Sequence, residues 1–285
     1  MARILVGIDG SKRGERALAW ALYEAPTTPD PSVTLLTVVS EEYAKSAGVD
    51  EATVEQNAEG VLAELKRKVE AQHPAIACET RVEKGEIVSV LADVATDYDL
   101  VVLGTHHGSK IGETISGAKG LRVSISTTVP TVVVPVTWSE GEVGAGIVVG
   151  VAQDDSSDSA IEYGAQLALA KGAQLNLVSA YGVPPFLSRP AEVMGGGMHA
   201  VGEGFQTRLE KIVELLREQH EGLVVSGVAI EGASPTQVLN EYADGCEVLI
   251  LGTHSHSALG RAIFGSVSHS ILMNLTVPTI IVPQP

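Results

Sequence analysis

The stretch VVLGTH at residues 101–106 returns near the end of the chain as VLILGTH at residues 248–254. Each copy is a short apolar run that ends in a glycine. Such a run, with no polar residue in alternation, is typical of a strand buried on both faces, as in a parallel sheet covered by helices. The glycine marks a strand end where the backbone can approach a neighbouring group closely.

The repetition extends to the rest of the chain. The opening run ILVGI at residues 4–8 returns as IVVGV at residues 147–151, an offset of 143, whereas Gly104 and Gly252 are separated by 148. A repeat of roughly this length is too long for a solenoid and indicates duplication of a whole domain. The second copy has therefore gained a few residues in its middle.

The joint between the copies is predicted at residues 137–146, a polar and glycine-rich segment. We therefore expect a first domain at residues 1–140 and a second at residues 141–285.

Short apolar runs alternate with stretches of helical period in each half. One helix stripe contains Val61, Leu62, Leu65 and Val69, and a matching stripe in the second half contains Phe205, Leu209, Ile212, Val213 and Leu216. Alternation of strand and helix predicts an open, parallel α/β sheet with right-handed crossovers. In such sheets ligands bind beyond the carboxyl ends of the strands, where the strand order reverses.

Composition restricts the class of protein. The chain has 285 residues, with 19 Lys and Arg against 35 Asp and Glu, a formal net charge of −16. This charge disfavours a nucleic-acid partner and an anionic membrane surface. Two cysteines, Cys78 and Cys246, are too few for a disulfide framework, and the opening residues lack a signal-peptide layout. We expect a cytoplasmic protein that binds neither nucleic acid nor membrane.

The loop at residues 252–268 of the second half is rich in glycine and serine between a strand and a helix. Backbone N–H groups in such a loop can approach an anion closely, and the hydroxyl of Ser266 can add a hydrogen bond to phosphate. The alternative is that any turn from strand to helix favours small residues.

The chain resembles the universal stress protein family in its tandem form. The resemblance is carried by the glycine loop, by the opening ILVGIDGS at residues 4–11 and by the ending VPTIIVP at residues 277–283. It implies two tandem doubly wound parallel-sheet domains of the adenine nucleotide alpha hydrolase-like type, with five strands each. It also implies a stress-response role and, in nucleotide-binding members, ATP held by a Gly-x2-Gly-x9-Gly-Ser/Thr loop and an Asp after the first strand.

Each half departs from that pattern. In the second half Gly252, Gly265 and Ser266 match the motif, Ser255 replaces the second glycine, and Ala152 stands in place of the Asp. In the first half Asp9, Gly104 and Gly117 match, but His107 replaces the second glycine and Ala118 replaces the hydroxyl residue. The predicted ATP-binding residues are Gly252, Ser255, Gly265, Ser266, Asp9, Gly104 and Gly117.

Other chemistry has weaker support. His254 and His256 form a His-x-His pair, but a zinc site needs further ligands. The chain has no Gly-x-Ser-x-Gly elbow and no Gly-x4-Gly-Lys-Ser/Thr loop. We therefore expect no catalytic residues and no metal site.

Three functions are compatible with these patterns. The first is a non-enzymatic stress-response protein that binds an adenine nucleotide and can form a homodimer. The second is a nucleotide-free interaction protein whose halves pair as a pseudo-dimer through residues 131–136 and 279–282, which are β-branched and predicted to lie at sheet edges. The third is a slow ATPase, suggested by analogy of fold alone.

Overall fold

The computed structural model describes residues 3–27, 29–105, 122–124, 126–182, 197–232, 234–256, 261–263 and 265–284. Their contacts divide the chain into two compact units. The first consists mainly of Met1–Glu142, and the second of Val143–Ser255 with Ile263–Gln284.

The first unit contains a five-stranded sheet. Its strands in chain order are β1 (Arg3–Gly7), β2 (Ser32–Val39), β3 (Ala77–Lys84), β4 (Leu100–Thr105) and β5 (Thr131–Pro135). The spatial order is β3-β2-β1-β4-β5, and neighbouring strands run parallel. The order therefore reverses between β1 and β4, which fixes where a ligand crevice can form.

The second unit repeats this arrangement. Its main strands are β6 (Ile147–Gly150), β7 (Leu175–Tyr181), β8 (Val225–Glu231), β9 (Val248–Gly252) and β12 (Thr279–Val282). The order is β12-β9-β6-β7-β8, again with parallel neighbours. Two short strands outside both five-stranded sheets, β10 (His254–His256) and β11 (Arg261–Ile263), form a separate two-stranded sheet. The predicted parallel α/β fold with five strands per domain is confirmed.

Helices connect the strands. In the first unit they are α1 (Lys12–Glu24), α2 (Glu41–Ala47), α3 (Glu51–Gln72) and α4 (Ile87–Ala95). In the second unit they are α5 (Asp158–Lys171), α6 (Gly197–Gln219), α7 (Pro235–Ala243) and α8 (Ser266–Leu272). Throughout the described ranges, each helix is too short or too polar to span a bilayer.

Burial follows the apolar runs of the sequence. All residues of β5, β6 and β12 are buried, as expected for strands covered on both faces. By contrast, β3 lies last in the spatial order of its sheet and is mostly exposed or half-buried, with charged side chains at Glu79, Arg81 and Glu83. Charges at such an edge discourage pairing with another chain.

A close approach between strand and helix occurs at the same place in both units. A Cβ on Gly104, in β4, would lie 2.2 Å from the carbonyl oxygen of Arg13, in the first turn of α1. A Cβ on Gly252, at the end of β9, would lie 2.2 Å from the carbonyl oxygen of Ser156. Arg13 and Ser156 are separated by the 143 residues that separate β1 from β6. The first glycine of each motif is thus required by packing, whether or not a ligand binds.

We expect Gly104→Ala and Gly252→Ala each to lower the free energy of unfolding by about 1–3 kcal/mol, because the new methyl group would overlap a backbone carbonyl. Denaturation in guanidinium chloride, followed by circular dichroism, measures the change. Gly60→Ala is the control, because Gly60 is exposed within α3 and a Cβ there would meet nothing within 4 Å. Equal stability of all three variants would contradict the packing role.

Candidate functional site

A cleft of about 550 Å³ opens in the first unit at the carboxyl ends of its strands. It lies where the strand order reverses, because its lining includes Gly7 of β1, Val38 of β2 and Gly104 of β4. The first turn of α1 contributes Arg13, and α3 forms the opposite wall. The cleft therefore occupies the position that the topology predicts for a ligand.

Asp9 lines this cleft just beyond the end of β1. Its Oδ1 accepts hydrogen bonds from the backbone N–H of Ser11 at 3.0 Å and from the Ser11 hydroxyl at 2.5 Å. Ser11 is also the N-cap of α1, since its hydroxyl oxygen accepts from the N–H of Arg13 at 3.2 Å. Gly14 leaves room for the carboxylate, because a Cβ there would lie 3.2 Å from Oδ1. The carboxylate is thus oriented by the start of the helix.

The α3 wall of the cleft is largely apolar. Val54, Ala58 and Val61 line it, and Val61 is 40% exposed although it is aliphatic. Asn57 and Ser40 add polar groups at this side. An apolar wall with a few polar groups is the usual composition of a small-molecule site.

The structure brings two of the predicted site residues, Asp9 and Gly104, into this one cleft. Gly117, together with His107 and Ala118, lies outside the described residues, so its predicted role stays a prediction.

The predicted site residues of the second unit lie around the end of β9. Gly252 ends that strand, Ser255 lies in β10, Gly265 is the N-cap of α8 and Ser266 is its exposed first residue. The Ser268 hydroxyl donates to the carbonyl oxygen of Gly252 at 3.5 Å, so the first turn of α8 lies beside the strand end. The segment predicted as a loop between β9 and α8 thus contains the short strands β10 and β11, and nucleotide binding there stays a prediction.

The loop after β6 differs from its counterpart in the first unit. Ala152 occupies the position of Asp9, and its N–H donates to the hydroxyl oxygen of Ser157 at 2.9 Å. Asp154 occupies the position of Ser11 and caps the following turn, because its Oδ1 accepts from the N–H of Ser156 at 3.1 Å. Asp154 therefore replaces the capping serine and does not restore the missing carboxylate.

The helix wall also differs between the units. The registers of β1 with β2 and of β6 with β7 align Val39 with Tyr181. The helices α3 and α6 end at Gln72 and Gln219, and their buried Leu62 and Leu209 have the same separation of 147 residues. This relation aligns two further pairs, Ala58 with Phe205 and Val61 with Arg208.

Large side chains replace small ones at these positions. The rings of Tyr181 and Phe205 lie 4.8 Å apart. Arg208 Nη2 donates to the carbonyl oxygen of Asp154 at 3.0 Å and to Asp155 Oδ1 at 3.3 Å. Arg208 thus spans from α6 to the loop after β6. The sequence analysis did not single out Tyr181 or Arg208, although alignment of the two helix stripes would have paired Arg208 with Val61.

Both cysteines are buried thiols. Burial raises the pKa of Cys246 to about 12 and raises the pKa of Cys78 above its ordinary value. Within the ranges that the structure describes, no group of three or more His, Cys, Asp or Glu side chains is placed to hold a metal ion.

The sequence profile of the universal stress protein family matches residues 1–135 and again residues 146–283. The chain belongs to the universal stress protein family. A universal stress protein of Mycolicibacterium smegmatis is 23% identical over 299 residues, covering 98% of this chain and 96% of that protein. One from Mycobacterium tuberculosis is 21% identical over 297 residues, covering 99% and 97%. The tandem universal stress architecture therefore extends over essentially the whole chain.

Solved structures agree with this assignment. The crystal structure of a universal stress protein from Archaeoglobus fulgidus matches with a TM-score of 0.72, at 17% identity, over 99% of this chain and 98% of that chain. At this identity the likeness shows the fold alone. The recognition of a universal stress protein in tandem form is confirmed, and its assignment to stress-response proteins follows from the family.

We expect both native cysteines to resist alkylation. At pH 8 a thiol with a pKa of about 12 holds about a thousandfold less thiolate than one at the ordinary value, and the thiolate is the reactive form. Iodoacetamide modification followed by mass spectrometry should show little reaction in buffer and complete reaction at both thiols in guanidinium chloride. Native modification of either cysteine at the rate of free cysteine would contradict their role as core residues.

Proposed function

We propose that the first unit binds an adenine nucleotide, ATP or a close relative, in the cleft beside Asp9. The observation that carries this proposal is the cleft of about 550 Å³ at the reversal of strand order, with a carboxylate on one side and an apolar wall on the other. Its size falls within the range typical of small-molecule sites.

The lining residues fit the parts of such a ligand. The apolar wall of Val39, Val54 and Val61 suits a planar base, and the carboxylate of Asp9 can accept hydrogen bonds from ribose hydroxyls or an exocyclic amine. Gly104 lets the first turn of α1 lie against the strand end, and Arg13 in that turn lines the cleft and carries a positive charge that suits the phosphates. This local charge matters because the chain as a whole carries −16.

We propose a binding role rather than an enzymatic one. Asp9 is the one carboxylate among the described residues that line the cleft, and one of its oxygens is already held by Ser11. Hydrolysis of a nucleotide usually employs a further group that orients or deprotonates water. Occupancy of the cleft would then report nucleotide level to a partner.

We also propose that the protein acts in the cytoplasm. Support comes from the cysteine count, because Cys78 and Cys246 are too few for the disulfide framework of many secreted proteins.

Calorimetric titration with ATP and with adenosine tests the binding proposal. We expect saturable binding, weakened about tenfold by Asp9→Asn, because the amide keeps the shape and loses a charge-assisted acceptor. Asp97→Asn is the matched control, since Asp97 precedes β4 and so lies at the opposite edge of the sheet. Phosphate release should equal that of buffer.

Absence of heat at millimolar nucleotide would refute the binding proposal and favour the nucleotide-free interaction protein. Phosphate release above the buffer rate that disappears in Asp9→Asn would instead favour the slow ATPase.

A further inference from the structure

The two units share a hydrogen bond from the second strand of the sheet to the loop after the first strand, and they differ in how exposed its donor side chain is. Thr37 in β2 donates from its hydroxyl to the carbonyl oxygen of Ile8 at 2.8 Å. Ser179 in β7 donates to the carbonyl oxygen of Val151 at 3.0 Å, the same bond in the second unit. Thr37 is half-buried and lines the open cleft, whereas Ser179 is 3% exposed. Some feature of the second unit therefore covers this position.

An aromatic pair lies on the helix side of this position, because Tyr181 follows Ser179 by two residues and so shares its face of β7. The rings of Tyr181 and Phe205 are 4.8 Å apart and tilted by 30°. A Cβ on Gly202 would lie 2.5 Å from the Tyr181 hydroxyl oxygen, so the tyrosine reaches the backbone of α6. Together the two rings bridge the end of β7 and the helix. In the first unit the equivalent space is bordered by Val39 and Ala58, which lack rings.

Arg208 follows Phe205 by three residues on the same helix, and its side chain is 34% exposed. It bonds a backbone carbonyl and a carboxylate of the loop after β6, and its Nε is buried with no hydrogen-bond partner. The side chain of Asp155 is 88% exposed, so its ion pair alone contributes little. The hydrogen bond to the carbonyl oxygen of Asp154 is the other contact that links Arg208 to this loop. Arg208 therefore links α6 to the loop after β6, and we call its contact with Asp154 and Asp155 the strap.

The first unit has neither the arginine nor the carboxylate that form the strap. Val61 occupies the position of Arg208, and Lys12 occupies the position of Asp155, 143 residues earlier. An arginine at residue 61 would meet a positive charge where the second unit offers a carboxylate. Both residues of the ion pair, Arg208 and Asp155, are therefore specific to the second unit.

We propose that Phe205 and Arg208 close the second unit's counterpart of the cleft, so that only the first of the two repeats accepts a ligand. These residues then determine which of the two repeats binds the ligand. The inference rests on the proposed function for the identity of the ligand, while closure itself can be measured without any nucleotide.

Thiol labelling tests closure directly. Ser179→Cys and Thr37→Cys are introduced separately, and a maleimide probe is followed by mass spectrometry, with Cys78 and Cys246 as the buried background. We expect Thr37→Cys to react at least about tenfold faster, since labelling requires exposure of the thiol. Adding Phe205→Ala with Arg208→Val, the residues of the first unit, should raise the rate at Ser179→Cys to a similar degree.

The control for this series is Leu215→Ala, because Leu215 is 54% exposed on the same helix. It should leave the rate at Ser179→Cys unchanged. Circular dichroism and thermal melting identify variants that have unfolded, and Arg208→Val alone, which removes only the strap, provides a milder opening. Equal rates at the two cysteines, or an unchanged rate in a folded double variant, would overturn the proposal.

Nucleotide stoichiometry provides the second test. The full chain should bind one ATP, and Phe205→Ala with Arg208→Val should expose a second, weaker site. Lys12→Asp, Ala58→Phe and Val61→Arg together should abolish the first. Two sites in the unsubstituted chain would overturn the inference while leaving the proposed function intact. If the chain binds no ATP at all, the proposed function fails, and the labelling result still decides closure.

Discussion

The close approach of a strand end to the first turn of a helix organises both units. In the first unit the carbonyl oxygen of Arg13 occupies the space that a Cβ of Gly104 would need, and in the second Ser156 and Gly252 stand in the same relation. This contact sets the start of α1 directly over the point where strand order reverses. The N-cap at Ser11 and the carboxylate of Asp9 depend on that placement, because both belong to the short loop between β1 and α1. A larger residue at Gly104 would displace the edge on which the cleft of the first unit is built.

The same scaffold supports two different surroundings. The hydroxyl bonds from β2 and β7 to the preceding loops are retained, as is the buried helix stripe that packs on each sheet. What differs is the helix wall that faces the strand ends. Small aliphatic residues leave a cleft in the first unit, whereas an aromatic pair and an arginine cross the corresponding space in the second. Duplication thus kept the interior and altered the side chains that face a ligand.

The sequence predicts the fold well, because the spacing of apolar residues along the chain indicates which segments are buried. Uninterrupted runs such as residues 147–150 and 279–282 become fully buried strands, and the repeat places them in equivalent sheets. The site is harder to predict from the sequence, because the loops and the helices of the two halves align with different residue offsets. Loops near β1 and β6 align at 143 residues and helices α3 and α6 at 147, so Val61 pairs with Arg208 only when the helix stripes are aligned separately from the loops. The capping role of Asp154 likewise follows from geometry that composition does not encode.

The paired nature of the strap also bears on the history of the two repeats. Arg208 and Asp155 carry opposite charges, while their counterparts Val61 and Lys12 are neutral and positive. An arginine acquired first, beside a lysine, would place two like charges at one mouth, and a carboxylate acquired first would border a cleft that already contains Asp9. The two changes are not equal in weight, because the carbonyl oxygen of Asp154 would still accept from Arg208 if Asp155 were lost, and an exposed ion pair contributes little. The difference between the repeats therefore depends mainly on the arginine, and a single substitution at residue 208 would remove it.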